Sequence, residues 1–526
     1  MSRRKKVVRG IALGAVAITA ITACKGPSTA TEPYLTTVAP GTQIRSLLTV
    51  ADAGAATNGY EMVGIPDGMG ARRVGDQVEV FMNQELRDTQ GVVRAHGQKG
   101  AFVSKYTIDP TTDEVVAGSD LIQPGTQFYN YLTDTYGTVP NGAGTNPTTS
   151  EVFPAYNPAF LRFCSGSLTD PYQLYNFVSG NGTTEQIYFA NEESGNEGRV
   201  FGVTTAGQAK QLPRLGLFSW ENTVAAKNRT DTTVVMGNED ASGGQLWVYA
   251  GTKQNTGDAF DKAGLTNGLD YVVRVGAGAQ SDAGVRAAIA ASPNGKVDFD
   301  LSEVPWNQSG AEQNAEAAVE GLTLNRIEDG AFDPRNRNAF YFVTTEGGAG
   351  TVPGVRDGGG LWRLTFDNVD DPSAGGTLEL LLDGSEAIGL NKPDNLTFDA
   401  SGGDLLIQED PGNNAHVARI VAYRTSDGAT AEVARFDDAL FDPVVAGANL
   451  VTADEESSGI IDVTSIYAPV PQSIEEAITE ANFSARGGRF LFDAQVHTAN
   501  GLNDPVAQVE RGQMLILEIS DWNVIY

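Results

Sequence analysis

Residues 322–345 read LTLNRIEDGAFDPRNRNAFYFVTT, and the fold can be predicted outward from this stretch. Asn325–Gly330 opens a short strand, and the Asp, Pro and Asn residues after it form a turn. The run FYFVTT predicts a second strand, because aromatic and β-branched side chains suit a pleated, half-buried surface. That strand meets Glu346, and a third strand is predicted at Gly360–Phe366. The unit is therefore strand, turn, strand, acidic end, loop and strand.

The same pattern of paired strands recurs five more times. Each repeat has a strand with an acidic or polar end and a partner strand: Val78–Glu85 with Gly100–Tyr106, Gln186–Glu193 with Gly198–Val203, Thr232–Asp240 with Gly244–Tyr249, Asp404–Asp410 with Ala415–Tyr423, and Arg489–His497 with Gly512–Ile519. A chain of 526 residues is too long for one ordinary core unless the architecture grows by repetition. Six units that cannot bury their faces alone predict an all-β protein, a six-bladed β-propeller.

Helical periodicity is confined to short stretches near residues 283–292, 310–320 and 473–481. The uneven spacing of the repeats places long loop or helical insertions near residues 108–160 and 251–318. These segments interrupt the repeat pattern without replacing it. The prediction remains one toroidal domain with its acidic strand ends gathered toward one face.

The N-terminus has the pattern of an export signal. Basic residues precede an apolar run at Ile11–Ile21, which has the length of a signal peptide and is too short for a stable membrane span. The run ends at Cys24 in a sequence like a lipobox, and Ser2-Arg3-Arg4 resembles a twin-arginine signal. A plain signal peptide cut nearby is the alternative.

The domain boundaries follow from this signal. We predict a signal peptide at residues 1–23, a tether rich in Pro, Thr and Ala at residues 24–47, and one propeller domain at residues 48–526. If Cys24 is acylated, the chain is an exported bacterial lipoprotein, anchored by lipid at the periplasm, outer membrane or cell surface. We expect a monomer.

The charge of the chain excludes one class of partner. Residues 1–23 hold five basic residues and no acidic one, so their removal changes the formal charge from −30 to −35. Nucleic acid is therefore not an expected partner. Acidity of this kind keeps an exported protein soluble, but solubility does not explain acids placed at strand ends.

The two cysteines of the chain bear on a possible role for Cys164. Only Cys24 and Cys164 occur, so an acylated Cys24 would leave Cys164 without a disulfide partner. A lone thiol is either an inert small hydrophobe or a metal ligand or nucleophile.

Three polar segments lie outside the acidic strand ends: Leu217–Asn222, Asn325–Gly330 and Lys392–Asn395. The innermost strands of a propeller line its central channel. We therefore expect four side chains to converge there, namely Glu221, Arg326, Glu328 and Asp394. The alternative, that Asp and Asn simply favour turns, suffices for Asp333, Asp367 and Asp399.

The order of these segments resembles the PhoX-type bacterial alkaline phosphatases over most of the mature chain. The resemblance rests on Gly64–Gly70, Met82–Glu85, Phe163–Gly166, Asn191–Glu193, Gly216–Glu221, Arg326–Asp329 and Pro393–Asp399. It implies a six-bladed propeller, exported by the twin-arginine route, that releases phosphate from small phosphomonoesters at a cluster of Fe³⁺ and Ca²⁺. Carboxylates and one cysteine would hold these ions.

The resemblance also implies roles for individual residues. The metal ligands correspond to Glu85, Cys164, Glu221, Glu328 and Asp394, and Arg326 corresponds to the phosphate contact; Cys164 and Arg326 are thus the candidate catalytic residues. Weaker candidates for ligands or outer contacts are Glu192, Glu193, Glu239, Glu409 and Asp410. A thiolate with carboxylates can hold ferric iron, calcium prefers oxygen ligands, and arginine offers phosphate a planar fork.

The chain departs from the family pattern at three places. Gln84 and Trp220 stand where the family commonly has histidine, and residues 168–172 replace a Thr-Pro-Trp-Gly run. Two other functions remain open. One is a non-catalytic exported propeller with structural calcium, and the other is a calcium-dependent hydrolase of the phytase or lactonase type; neither site would require a thiolate.

Overall fold

The computed structural model describes residues 29–52, 56–346, 359–412, 416–468, 471 and 473–526. The predicted signal peptide and Cys24 lie outside these residues. The described chain is mostly β, and we number its strands β1 to β32 in chain order. No helix in the described ranges has the length and apolar character needed to cross a membrane.

Most strands belong to five antiparallel sheets. Sheet 1 contains β3 (Pro66–Val74), β4 (Gln77–Gln84), β5 (Phe102–Asp109) and β6 (Glu114–Asp120). Sheet 2 contains β11 (Phe163–Leu168), β12 (Ile187–Glu192), β13 (Val200–Thr204) and β14 (Ala209–Gln211).

Sheet 3 has nine strands, in the spatial order β15 (Trp220–Ala225), β16 (Thr232–Glu239), β18 (Leu246–Thr252), β19 (Leu269–Val275), β20 (Val297–Val304), β25 (Gly376–Leu382), β24 (Gly360–Phe366), β23 (Ala339–Thr344) and β22 (Ile327–Phe332). Sheet 4 contains β26 (Pro393–Phe398), β27 (Asp404–Glu409), β28 (Arg419–Arg424), β29 (Thr430–Phe436) and β1 (Leu35–Thr37). Sheet 5 contains β30 (Glu455–Asp462), β31 (Gly488–Val496), β32 (Arg511–Ile519) and β2 (Thr42–Thr49).

Three small pairs of strands complete the β structure: β7 (Phe128–Asn130) with β8 (Thr135–Gly137), β9 (Gly144–Thr145) with β10 (Val152–Phe153), and β17 (Ser242–Gly244) with β21 (Leu324–Asn325). The helices are α1 (Ala259–Lys262), α2 (Asp282–Ala291), α3 (Gly310–Glu320), α4 (Asp438–Phe441), α5 (Ile474–Ser484) and α6 (Pro505–Gln508). The three predicted helices are confirmed as α2, α3 and α5. Serine caps begin α2 and α3, where the hydroxyls of Ser281 and Ser309 accept backbone N–H bonds.

The arrangement of the sheets is propeller-like. An inner edge strand from each sheet, and both edge strands of sheet 3, pack side by side: β3 on β11, β11 on β15, β15 on β22, β22 on β26, β26 on β30, and β30 on β3. We call these strands the inner ring. All six predicted strand pairs occur, as β4/β5, β12/β13, β16/β18, β23/β24, β27/β28 and β31/β32.

The hydrophobic core lies between neighbouring sheets. Successive strand residues point to opposite faces, so Phe490 and Phe492 pack against sheet 4 while Leu491 packs against sheet 1. Each sheet is thus buried on both faces. This explains why the strands appear in the sequence as continuous apolar runs.

The N-terminal boundary differs from the prediction. Strand β1 pairs with β29, and β2 pairs with β32 beside the C-terminus. The tether predicted at residues 24–47 is therefore wrong for residues 35–47, which are part of the sheets. The physical reason is that an edge strand needs a partner, and here the N-terminal segment supplies it.

Candidate metal centre

One position repeats around the inner ring. The second residue of each inner strand is an acid or a thiol: Asp67 on β3, Cys164 on β11, Glu221 on β15, Glu328 on β22, Asp394 on β26 and Glu456 on β30. All six side chains are of types that bind metal ions. We call these residues the ligand ring.

A β-bulge directs these side chains. In five of the inner strands the second and third residues together lie opposite one residue of the next strand; on β22, for example, Glu328 and Asp329 lie opposite Val343. In the sixth, the register shift comes at Gly459. A bulge bends its strand and re-aims the side chain, and bulges are common next to active sites.

The residue before the inner strand is strained in four sheets. Ile65, Arg162, Arg326 and Lys392 have φ values of 53°, 45°, 56° and 51°. The left-handed region costs a non-glycine residue about 1 to 2 kcal/mol. Such strain persists where the surrounding structure enforces it, and it is concentrated at functional sites.

A backbone hydrogen bond closes this end of each sheet in the same way. The N–H donors, which we call the rim residues, are Glu85, Glu193, Asp240, Thr345, Asp410 and His497. The carbonyl acceptors, which we call the pre-strand residues, are respectively Ile65, Arg162, Ser219, Arg326, Lys392 and Asp454, at N···O distances from 2.9 to 3.1 Å. The six rim residues therefore occupy equivalent positions around the ring, and so do the six pre-strand residues.

The ligand ring and rim form four groups, each with ligand atoms within 4.8 Å of one another: Asp67, Glu85 and Cys164; Cys164, Glu193 and Glu221; Glu221, Glu328 and Asp394; and Asp394, Asp410 and Glu456. Consecutive groups share a residue. The groups therefore make a continuous arc that can hold several cations.

Burial sets the electrostatics of this arc. Burial first, and then neighbouring carboxylates, raise the pKa of Asp67 and of Asp394 well above the usual range. The same causes raise the pKa of the Cys164 thiol. Burial raises the pKa of Asp410 to about 7, although the charges of Arg326 and His497 oppose it. Without added positive charge, the arc would hold protons rather than full negative charge.

The donor set fits metal ions. Buried Asp67 has an oxygen, Oδ1, with no hydrogen-bond partner in the described part of the chain, and its Oδ2 accepts a 3.3 Å bond from the Cys164 thiol. Carboxylate oxygens suit calcium, while a thiolate with carboxylates suits iron. Cations would offset the repulsion among acids that Arg162, Arg326 and His497 only partly neutralise.

The structure brings together seven of the predicted residues: Glu85, Cys164, Glu193, Glu221, Glu328, Asp394 and the weaker candidate Asp410. Glu192 is not among them. Its carboxylate instead meets buried Arg199, with 2.6 Å from Nε to Oε2 and 2.7 Å from Nη2 to Oε1. Adjacent residues of an extended chain point to opposite sides, so Glu192 and Glu193 cannot both face the centre.

Two weaker candidates are also engaged elsewhere. Arg419 binds the carboxylate of Glu409, and the indole N–H of Trp247 donates to Glu239 at 2.9 Å. Asp67 and Glu456 were missed by sequence reasoning. Asp67 could have been found from its place beside the start of a strand, but Glu456 lies in an acidic run that resembles a surface loop.

Arg326 lies at the start of β22, beside the arc, and its partners Asp240 and Glu328 belong to the same sheet. Its Nε and Nη2 donate to the carboxylate of Asp240 at 2.9 and 2.8 Å, and Nη2 is 2.8 Å from Oε1 of Glu328. No described residue accepts a hydrogen bond from its Nη1. The predicted phosphate contact is therefore oriented by two acids, and its Nη1 has no hydrogen-bond partner among the described residues.

A set of side-chain amides donates hydrogen bonds to the strands that carry the ligand ring. Each sits on the second strand of a sheet and donates to the inner strand of the next sheet. The bonds include Asn83 Nδ2 to Cys164 O at 2.6 Å, Asn191 Nδ2 to Glu221 O at 3.1 Å, and Gln495 Nε2 to Asp67 Oδ2 at 3.2 Å. The position of each ligand thus depends on the neighbouring sheet.

The departures from the family pattern pack away from the arc. Trp220 is buried and stacks on Phe218 with 3.9 Å between ring centroids. The amide of Gln84 can donate to the carbonyls of Val63 and Gly64 at 2.7 and 3.1 Å. Both residues are next to a candidate ligand in sequence, but Gln84 binds backbone carbonyls and Trp220 packs in the hydrophobic core.

The metal-free protein is expected to lose stability as pH rises. A carboxyl group whose pKa is raised by folding binds more protons when folded, so its cost is absent below an unfolded pKa of about 4 and grows until pH passes the folded pKa. For Asp410 this window runs to about pH 7. Calorimetry with a chelator should therefore give a lower Tm at pH 8 than at pH 5.

Added calcium is the control for this titration. It should reduce the dependence on pH, because bound cations replace the protons of the arc. A Tm in chelator that is constant or rises between pH 5 and pH 8 would contradict the proposed electrostatics.

Known proteins resemble this chain in sequence and in fold. Residues 162–461 match the family model described as Alkaline phosphatase PhoX. No curated protein matches the chain significantly. Among solved structures, Pseudomonas fluorescens PhoX in complex with vanadate, a transition state analogue, is similar with a TM-score of 0.58 and 13% identity, over 93% of this chain and 96% of that one. Chaetomium thermophilum Sqt1 bound to the N-terminus of ribosomal protein L10 gives a TM-score of 0.34 at 12% identity, over 90% of this chain and 99% of that one.

Proposed function

The chain belongs to the PhoX alkaline phosphatase family, and from this premise we propose that it hydrolyses phosphomonoesters at the ligand ring. The observation that carries the proposal is the repeated position: six inner strands each present one metal-binding side chain, with Arg326 between two of them. A purely structural calcium site would require neither a buried thiol nor an arginine with a free edge.

We propose Fe³⁺ and Ca²⁺ as the ions of this site. Glu85, Glu193, Glu221 and Cys164 supply the thiolate and carboxylates that suit iron, whereas Asp394, Asp410 and Glu456 offer only oxygen. When bound, such ions polarise phosphoryl oxygens and offset the negative charge of the substrate. We assign these residues to iron or to calcium from the chemistry of their donor atoms.

The residues of the chain bind and orient the substrate. The guanidinium of Arg326 is held by Asp240 and Glu328, so its free edge is preorganised for a phosphoryl oxygen. Thr345 fixes Glu328 in turn, since its hydroxyl donates to Oε1 at 2.8 Å. Little reorganisation is then needed as charge develops on the phosphoryl group.

The six-bladed architecture is also a proposal. Sheet 3 would be two blades joined where β20 pairs with β25, one with β15 innermost and the other with β22 innermost. The equivalent rim bonds at both β15 and β22 support this division. Sheets 1, 2, 4 and 5 supply the other four blades.

For the N-terminus we propose export and acylation of Cys24, based on sequence alone. The first described residue, Thr29, bonds Thr49 at 2.9 Å, at the end of sheet 5 that carries Glu456. Mass spectrometry of membrane-extracted protein should show a diacylglyceryl Cys24; an unmodified N-terminus beyond Lys25 would contradict it.

The function is tested by phosphate release. Purified, metal-loaded protein should hydrolyse p-nitrophenyl phosphate and release little product from bis(p-nitrophenyl) phosphate, the diester control. Elemental analysis of the same sample should detect iron as well as calcium. Active protein containing calcium without iron would favour the calcium-dependent hydrolase, and metal-loaded protein with no esterase activity would favour the non-catalytic propeller.

A further inference from the structure

The pre-strand residues include three cations, and two of them have a carboxylate partner at the preceding rim position. Arg162 on sheet 2 pairs with Glu85, the rim residue of sheet 1. Arg326 pairs with Asp240, the rim residue at the end of β16. A basic pre-strand residue thus binds the rim acid of its neighbour in the ring.

Lys392 is the third of these cations, and the preceding rim residue is not an acid. The preceding rim residue is Thr345, whose hydroxyl bonds Glu328 and the carbonyl of Pro393, each at 2.8 Å. No carboxylate in the described part of the chain forms an ion pair with Lys392. The cation is half-buried and lies in the left-handed conformation, with φ of 51°.

The position of Lys392 relates it to the arc. It precedes Asp394 by two residues, and its carbonyl accepts the N–H of Asp410. Lys392 therefore stands beside the acids of the arc, one inner strand after Arg326.

We propose that Lys392 binds an anionic oxygen of the substrate and so contributes to specificity. This deepens the proposed function, on which it rests. A half-buried cation that forms no ion pair among the described residues is available to an anionic group of a ligand, and strained backbone is concentrated at functional sites. Thr345 keeps this cation available, because an acid in its place would neutralise it.

Binding of inorganic phosphate to metal-loaded protein tests the proposal directly. Lys392→Met should raise the Kd by about 10- to 100-fold, the usual worth of a charge-assisted hydrogen bond. Lys392→Arg should restore most of the affinity, because it restores the charge. Lys392→Gly is a second variant that removes the side chain and suits the positive φ, so it remains informative if the methionine variant folds poorly. Metal content should be unchanged in all three.

The control is Lys227→Met, because Lys227 pairs with Asp170 at 2.5 Å on the exposed surface beyond the far end of β15. It should bind phosphate as the wild type does. The KM values for two substrates then show which anionic group of the substrate Lys392 contacts. A rise in KM for both p-nitrophenyl phosphate and phosphoglycolate would assign Lys392 to the phosphoryl group, and a rise for phosphoglycolate alone would assign it to the leaving group.

Unchanged phosphate binding together with unchanged KM values for both substrates would overturn the proposal. Failure of the proposed function is a separate result. In that case the metal-loaded wild type hydrolyses neither ester, and the binding of inorganic phosphate still reports whether Lys392 contacts an anion.

Discussion

Removal of the bound ions is expected to lower the rate on p-nitrophenyl phosphate by about 10³-fold or more, since a metal ion supplies several kcal/mol of charge stabilisation. The reason lies in the arc itself. Without ions, buried Glu221 and Glu328 either hold protons or carry negative charge in a poorly screened site, and neither form offers a phosphate dianion the positive charge it requires. Arg326 cannot offset them alone. Binding of inorganic phosphate should therefore be lost together with turnover.

The measurement compares chelated protein with protein exposed to the same chelator saturated beforehand with calcium. Elemental analysis establishes how much metal each sample holds. Cys164→Ala provides an independent route, because it should lower iron content while leaving the oxygen-only group of Asp394, Asp410 and Glu456 intact. Full activity in protein shown to be free of metal would refute metal dependence.

Arg326→Ala is expected to lower kcat on the same ester by about 10²- to 10³-fold, the effect of removing one preorganised donor. Metal content should stay near that of the wild type, because none of the four groups includes this side chain. Arg326→Lys keeps a positive charge but loses the planar fork, so it should recover only part of the rate.

Two controls define the role of this arginine. Arg335→Ala removes a guanidinium that bonds the loop carbonyl of Gly402, and it should leave kcat unchanged. Asp240→Asn weakens the orientation of Arg326 without removing it, so a smaller loss is expected than for alanine. If Arg326→Ala proves as active as the wild type, Arg326 has no part in stabilising the transferred group.

The repeated strand pairs were predictable because a continuous apolar run such as Phe340–Val343 can be buried only between two sheets. The ligands next to recognisable segments, Glu328 and Asp394 among them, were predictable for the same local reason. The pairing of sheets across long sequence separations was not. No local pattern in residues 35–49 indicates partners near the C-terminus.

The details of the site that could not be predicted from the sequence also have physical causes. The sequence gives no reason to prefer Glu192 or Glu193 as a metal ligand. The position of Arg199 shows that Glu192 is the one that turns away from the centre. The bulges are equally hidden, since they depend on how an inner strand fits its neighbour. Glu456 could be recognised only after the second position of all six inner strands was seen together.

The closure of the ring joins strands that are far apart in sequence, so the arc depends on long-range pairing. Strand β2 joins β32 in sheet 5, and that sheet abuts sheet 1, where Asp67 accepts the amide of Gln495. The arc thus spans the seam at which β2 and β3 meet β30 to β32. A fragment that stops before β30 would lack Glu456, and the group of Asp394, Asp410 and Glu456 would be incomplete. Such a fragment would therefore lack part of the proposed cation site.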